Sequence, residues 1–338
     1  MLIGRTTCAV AVLATVITLA SVPGEAAELR GRLGHVFAID SPIDKASQEF
    51  ALLLKERSGG QITIALFPNN QIGGDEALGR ELARGSLEFA FLNPGSLTGL
   101  DPLLDIHYLP YIVTDFEQVD KIFYNEKGIL QRTLRETLKK HHMETLGFFE
   151  LEFRAVTNSQ RPVNTMADLK GLKLRVPGST GIKGFFQAAG VQAVTMPMPE
   201  LFTALQQGTV DGQDNGPSIT YNSRLFEAQK FMTLSNHVYA MGTVVASERT
   251  WEALTEEQRK LVKDAATEVT AKEIKFNREM NQVFLKKIAD GNVAVTELPA
   301  PAMKELKDFG RSLWDGFAKS YGTERIAALR AELAVIEE

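Results

Sequence analysis

The 338-residue chain contains a single cysteine, Cys8, and it lies in the leading apolar segment. With that segment removed there is no thiol nucleophile, no disulfide and no thiolate metal site. No G-x-S-x-G elbow, P-loop, G-x-G-x-x-G or H-E-x-x-H sequence occurs, so the common hydrolase, nucleotide and zinc signatures are missing. The histidines, His35, His107, His141, His142 and His237, have no metal-ligand spacing, and neither a metal nor another cofactor is expected. The 37 basic residues form no run and are outnumbered by 42 acidic ones, a formal net charge of -5 that argues against a nucleic-acid surface. Long hydrophobic runs are also missing, since the stretch from Cys8 to Ala20 is too short to cross a bilayer.

That short run still carries information. A basic start from Met1 to Arg5, the apolar stretch, and SVPGEAA with small Gly24 and Ala26 read as a secretory signal peptide over residues 1–26, cut near Ala26 or Ala27. Export to the periplasm is the expectation. Cys8 stands at the start of the apolar run rather than its end, which argues against lipid anchoring.

The chain is 44% hydrophobic and 23% charged, ordinary for a soluble protein of two domains. Its pattern is α/β. RGRLGHVFAID reads as a strand, Ser41 and Pro42 supply an N-cap and an N1 proline for a helix to Arg57, and QITIALFP alternates as a second strand. EALGRELAR is a short helix ended by Gly85, with SLEFAFL as the next strand. The phrase LARGSLE at 82–88 recurs as LQQGTVD at 205–211, each a helix stopped by a glycine free to take φ > 0 and turned straight into a strand. Two similar lobes, or two coincidentally similar turns, account for it equally. From Glu256 to Asp290 there is neither proline nor glycine, Thr255 and Gln258 form a capping-box signature, and Gly291 supplies a stop. At about 1.5 Å per residue this helix would run roughly 50 Å and brace both lobes, unless it breaks near Asn277.

Two stretches place charge where chemistry could use it. In LKGLKLRVPGS, 169–179, strand alternation turns Leu172, Leu174 and Val176 to the core and Lys173 and Arg175 away from it. Pro177 and Gly178 end the ladder directly afterwards, and strand ends in open α/β sheets are where ligands gather. Arg175 is therefore either part of a solvated face or a cation fixed at a cleft. In LGFFELEFRAVTN, 146–158, the same alternation puts Phe148, Glu150, Glu152 and Arg154 on one face. A carboxylate pair beside an arginine can accept hydroxyl protons from a polyol while the guanidinium meets an acid group. The alternative is a periplasmic sugar-acid enzyme using Glu150, Glu152 or Asp211 as acid and base.

The run TNSQRPVNTMADLKGLKLRVPGS, followed by MPMPELFTALQQGTVDGQDN, resembles the periplasmic substrate-binding proteins of tripartite ATP-independent (TRAP) transporters, of the dicarboxylate-binding, DctP type. LGHVFAIDSP, GGQITIALFPNNQIGGDEAL, GSLEFAF, LPYI and SERTWEALTEEQRKLV extend the resemblance over nearly the whole mature chain. It implies a two-lobed α/β periplasmic substrate-binding fold with a long helix spanning both lobes. Lobe I would take 28–151 plus 240–280, and lobe II 152–239 plus 281–338. It also implies a binding protein rather than an enzyme, a monomer that closes over an organic acid and delivers it to a TRAP membrane permease. Carried over residue by residue, the carboxylate-binding arginine falls on Arg175, a second arginine on Arg154 and a contacting asparagine on Asn215. The two arginines would offer an anion two forks. First-lobe contacts fall on Asp75, Asn93 and the neighbourhood of His35. Met198 stands where some sialic-acid-binding members have an aromatic residue, and Asn93 where some have an acid, which turns the expectation away from sialic acid. Glu150 and Glu152 turn it toward a uronate, an aldonate or a short hydroxy acid.

Overall fold

The protein is described here by a computed structural model covering residues 28–337. The signal peptide expected over 1–26 lies outside the described residues. Within them, eleven strands form two sheets. The first runs β2 (Ile62–Phe67), β1 (Leu29–His35), β3 (Phe89–Leu92), β10 (Tyr239–Ser247), β4 (Met143–Phe153). Here β1 is parallel to β2 and β3, whereas β10 is antiparallel to β3 and β4. The second runs β11 (Ala294–Glu297), β9 (Phe231–Leu234), β5 (Val156–Asn158), β8 (Gly212–Gln213), β6 (Lys173–Val176), β7 (Gln192–Thr195).

Helices α1 (Pro42–Arg57), α2 (Asp75–Ala83), α3 (Phe116–Ile122) and α4 (Ile129–Lys140) belong to the first sheet, and α5 (Thr180–Ala188), α6 (Met198–Gln206) and α7 (Pro217–Asn222) to the second. After β10 come α8 (Glu248–Ala253) and α9 (Glu256–Asp290), then α10 (Ala300–Ser312), α11 (Ala318–Tyr321) and α12 (Thr323–Glu337). The local signals act as expected. The Ser41 hydroxyl accepts from Asp44 N at 3.2 Å and Pro42 opens α1. Gly85 and Gly208 take φ of +71° and +67°, and the following amides, of Ser86 and Thr209, each donate five residues back, to Glu81 O and Ala204 O at 2.9 Å. One sequence phrase thus builds the same turn once in each lobe.

All nine residues of β10 are buried, which a central strand covered on both faces requires. Gly242 is forced there, because a Cβ would lie 2.2 Å from the Phe149 ring. The chain crosses between sheets at Arg154–Ala155, linking β4 to β5, and at 235–238, linking β9 to β10. Arg154 N donates to Val238 O at 2.8 Å, so the two crossings lie side by side. A third link is α9, which packs on β4 and α1 at the first sheet and on α7 and β11 at the second, unbroken through Asn277.

The tail departs from the expected boundaries. The sequence resemblance places residues 281–338 in the second lobe, yet α12 packs against α3 and α4 of the first. Ile326, Leu329 and Leu333 are buried there, and Glu332 accepts from Ile129 N at 2.9 Å. The apolar face of α12 needs cover, and the core beside α3 and α4 supplies it.

Candidate ligand-binding cleft

A cleft opens between the two sheets, and Arg175 is built into its wall by β6. Lys173 N donates to Asp211 Oδ2 at 2.8 Å, pinning the start of the strand, and Pro177 ends it and lines the cleft. Arg175 is directed away from the second sheet's core, as alternation requires, but it meets the cleft rather than bulk water and is only 3% exposed. Its Nε donates to Met196 O at 2.8 Å, while no described residue accepts from either terminal nitrogen. Burial pushes the guanidinium down to about 10, against the attraction of Asp214, Glu76 and Asp75, so it remains a cation at neutral pH.

Arg154 occupies the crossing and also lines the cleft, with a different electrostatic fate. Its Nε and Nη2 reach Asp214 Oδ2 and Oδ1 at 2.8 and 2.7 Å, a bidentate pair buried on both sides. Burial opposes both charges, but each holds the other ionised: the guanidinium is raised and the Asp214 carboxyl lies well below the usual range. His237, on the second crossing, adds an Nε2 contact to Asp214 Oδ2 at 3.5 Å and is fixed through Nδ1 by Ser235 Oγ at 2.8 Å. The expected second fork is therefore largely taken by an internal carboxylate, leaving only Nη1 without a described acceptor.

From the first lobe, Asp75, at the first turn of α2, and Asn93, after β3, both line the cleft. Asp75 Oδ1 accepts from Asn93 N at 3.2 Å. The Asn93 side chain is held by Ser96 Oγ, Gly95 N and the Tyr108 hydroxyl. Burial, with the neighbouring Glu76 charge, raises Asp75 to about 7. On the second lobe, Asn215 is oriented by Gln213 Oε1, which accepts from its side-chain amide at 2.7 Å, and Met198 contributes a flexible apolar wall at the start of α6.

Glu150, Glu152 and His35 do not line the cleft. The expected single face fails at a β-bulge, because β10 residues Ala240 and Met241 pair with Glu152 and Glu150 and leave Leu151 as the extra residue. Leu151, not the carboxylates, lines the cleft. Glu150 instead accepts from the Tyr239 hydroxyl at 2.9 Å and from Arg278 Nε at 2.7 Å. Glu152, at φ +90°, accepts from Ser218 N and Ile219 N at 2.6 and 3.0 Å, capping α7 from behind. The His35 ring turns to Ser47 Oγ and Asp44 Oδ1 at 3.1 and 3.2 Å, and its neighbours Val36, Phe37 and Ala38 line the cleft in its place. Asp211 is occupied in bonding Lys173 N, so the proposed acid and base residues are scattered over three places, none of them the cleft.

Sequence reasoning missed Asp214, Glu76 and the α7 face carrying Ser218 and Asn222. The first two had a signal, each being an acid adjacent to a residue already singled out. The lobes meet at the rim, where the Thr98 hydroxyl donates to Gly178 O. Deeper in, Asp105 of the first lobe accepts from Ser179 Oγ, Thr180 N and Gly181 N at 2.8, 2.6 and 3.2 Å, capping α5 of the second. These hydrogen bonds join the two lobes directly.

Two α/β lobes joined by paired crossings, with a buried cation in the cleft between them, define a solute-binding protein. Residues 33–320 match bacterial extracellular solute-binding protein family 7 (DctP), and the chain belongs to that family, that of the TRAP transporter substrate-binding proteins. The C4-dicarboxylate-binding protein DctB of Bacillus subtilis is 31% identical over 76% of this chain and 73% of its own length. The sugar acid binding protein DctPAm of Advenella mimigardefordensis, solved in complex with galactonate, is 29% identical, with a TM-score of 0.87 over 92% of this chain and 99% of that one. A TRAP periplasmic solute binding protein of Sulfurospirillum deleyianum with bound succinate is 27% identical, with a TM-score of 0.83 over 90% of this chain and 99% of that one.

Proposed function

We propose that this protein captures a hydroxylated or sugar acid in the periplasm, through the Arg175 guanidinium, and delivers it to a TRAP membrane permease. The observation that carries this is a buried arginine whose two terminal nitrogens have no acceptor among the described residues. A planar fork of that kind matches a carboxylate, and a charge-assisted contact contributes roughly 1.5–3 kcal/mol. Asn93, Ser96, Asn215, Ser218 and Asn222 surround it with amide and hydroxyl groups suited to ligand hydroxyls. The galactonate and succinate held by the similar structures are organic acids and support the same chemistry.

Closure follows from the same contacts. Ligand groups bridging Arg175 on one lobe and Asp75 or Asn93 on the other favour the shut state, and the crossings 154–155 and 235–238 are the hinge. A thermal-shift screen of organic and sugar acids identifies the ligand, and small-angle scattering then follows its addition. The expected result is a raised melting temperature with a smaller radius of gyration. A stabilising acid that leaves the dimensions unchanged at saturation contradicts closure.

A further inference from the structure

Charge in the cleft is lopsided in a way that narrows the ligand further, on the premise that Arg175 takes a carboxylate. The cleft-lining residues include two cations, Arg154 and Arg175, and no lysine or histidine. Arg154 is already neutralised by Asp214. Opposite stand two more carboxylates, Asp75 and Glu76, which attract Arg175 through space yet form no ion pair with it among the described residues. The Glu76 side chain makes no hydrogen bond among the described residues, so its oxygens are open to a ligand, and Glu76 Oε1 lies 3.7 Å from where a Cβ on Gly178 of the other lobe would sit. One unmatched positive charge therefore faces an acidic wall.

We propose that the cleft selects monocarboxylates bearing hydroxyl groups and rejects dicarboxylates, with Asp75 and Glu76 as the residues that decide. A hydroxylated chain held by Arg175 at its carboxylate donates its far hydroxyls to these acids. A dicarboxylate brings its second anion to a wall with no free cation, beside Glu76 and an Asp75 carboxyl that ionises only at about 7, so that anion is left unpaired and Glu76 repels it. The raised Asp75 carboxyl, driven first by burial and then by Glu76, supports this, because the two acids already resist sharing negative charge.

Matched pairs test it: four- to six-carbon aldonates, each against the aldarate that carries a carboxylate in place of the terminal CH2OH, with succinate added, titrated calorimetrically into the full protein. The expected result is an aldonate bound at least about thirtyfold tighter than its aldarate or succinate. Glu76→Gln is expected to narrow that gap about tenfold, weakening the aldonate and admitting the aldarate, and Asp75→Asn, checked by its melting curve, to narrow it further. Aldarate or succinate bound as tightly as the aldonate, with binding lost in Arg175→Lys, overturns this proposal and leaves carboxylate capture standing. An unchanged gap in both acid variants also overturns it. Binding of none of these acids overturns it together with the carboxylate premise.

Discussion

Arg154 at the crossing and Arg175 at the end of β6 are buried alike, 2% and 3% exposed, but only one has a partner of its own. Arg154 is locked to Asp214 and ties the crossing between the sheets to the second one, and Arg175 keeps its fork open to the cleft. The difference teaches that burial of a charge alone does not mark a binding group. What marks it is burial without internal compensation, because the desolvation cost is then offset only when a ligand arrives.

The comparison makes a stability prediction with the largest effect. Arg154→Met strands Asp214 as an uncompensated buried charge and is expected to cost about 3–5 kcal/mol in urea unfolding. Arg175→Met removes a charge that had no partner and is expected to leave stability within about 1 kcal/mol of wild type. Equal losses in the two variants would break the contrast.

Glu152 sharpens it from the acidic side and with a smaller effect. Burial raises its carboxyl to about 8 despite the two α7 amides it accepts from, whereas an unfolded chain releases the proton near 4.5. Between those values the folded form holds more protons, so stability falls as pH rises from about 5 to 8. Asp214 is ionised in both states over that window and does not contribute. Glu152→Gln is expected to make the decline in melting temperature between pH 5 and 8 shallower, Asp75 and Asp105, raised to about 7 and about 6, supplying the remainder, and an unaltered slope would remove Glu152 as a contributor.

Much of the fold was legible because its signals are local. Ser41 and Pro42 open α1, the capping box of Thr255 and Gln258 opens α9, and the glycine turns at 85 and 208 repeat. Arg175 was legible because a proline stops its strand one residue after the sheet has buried Val176. Glu150 and Glu152 were misplaced because one extra residue at Leu151 resets strand alternation, and a bulge has no signature in the side chains that straddle it. The occupied fork of Arg154 was invisible for another reason. Its partner lies sixty residues onward and is brought back by β8 pairing with β5, a contact of topology rather than sequence. The return of α12 to the first lobe is hidden in the same way.

Isothermal titration of wild type and Arg175→Lys with the acid that most raises the melting temperature tests the central claim most directly. An ammonium keeps the charge but loses the planar fork, so the account predicts affinity weakened on the order of tenfold to a few hundredfold with the fold intact. Equal affinity in the two proteins would show that this guanidinium does not hold the ligand's carboxylate.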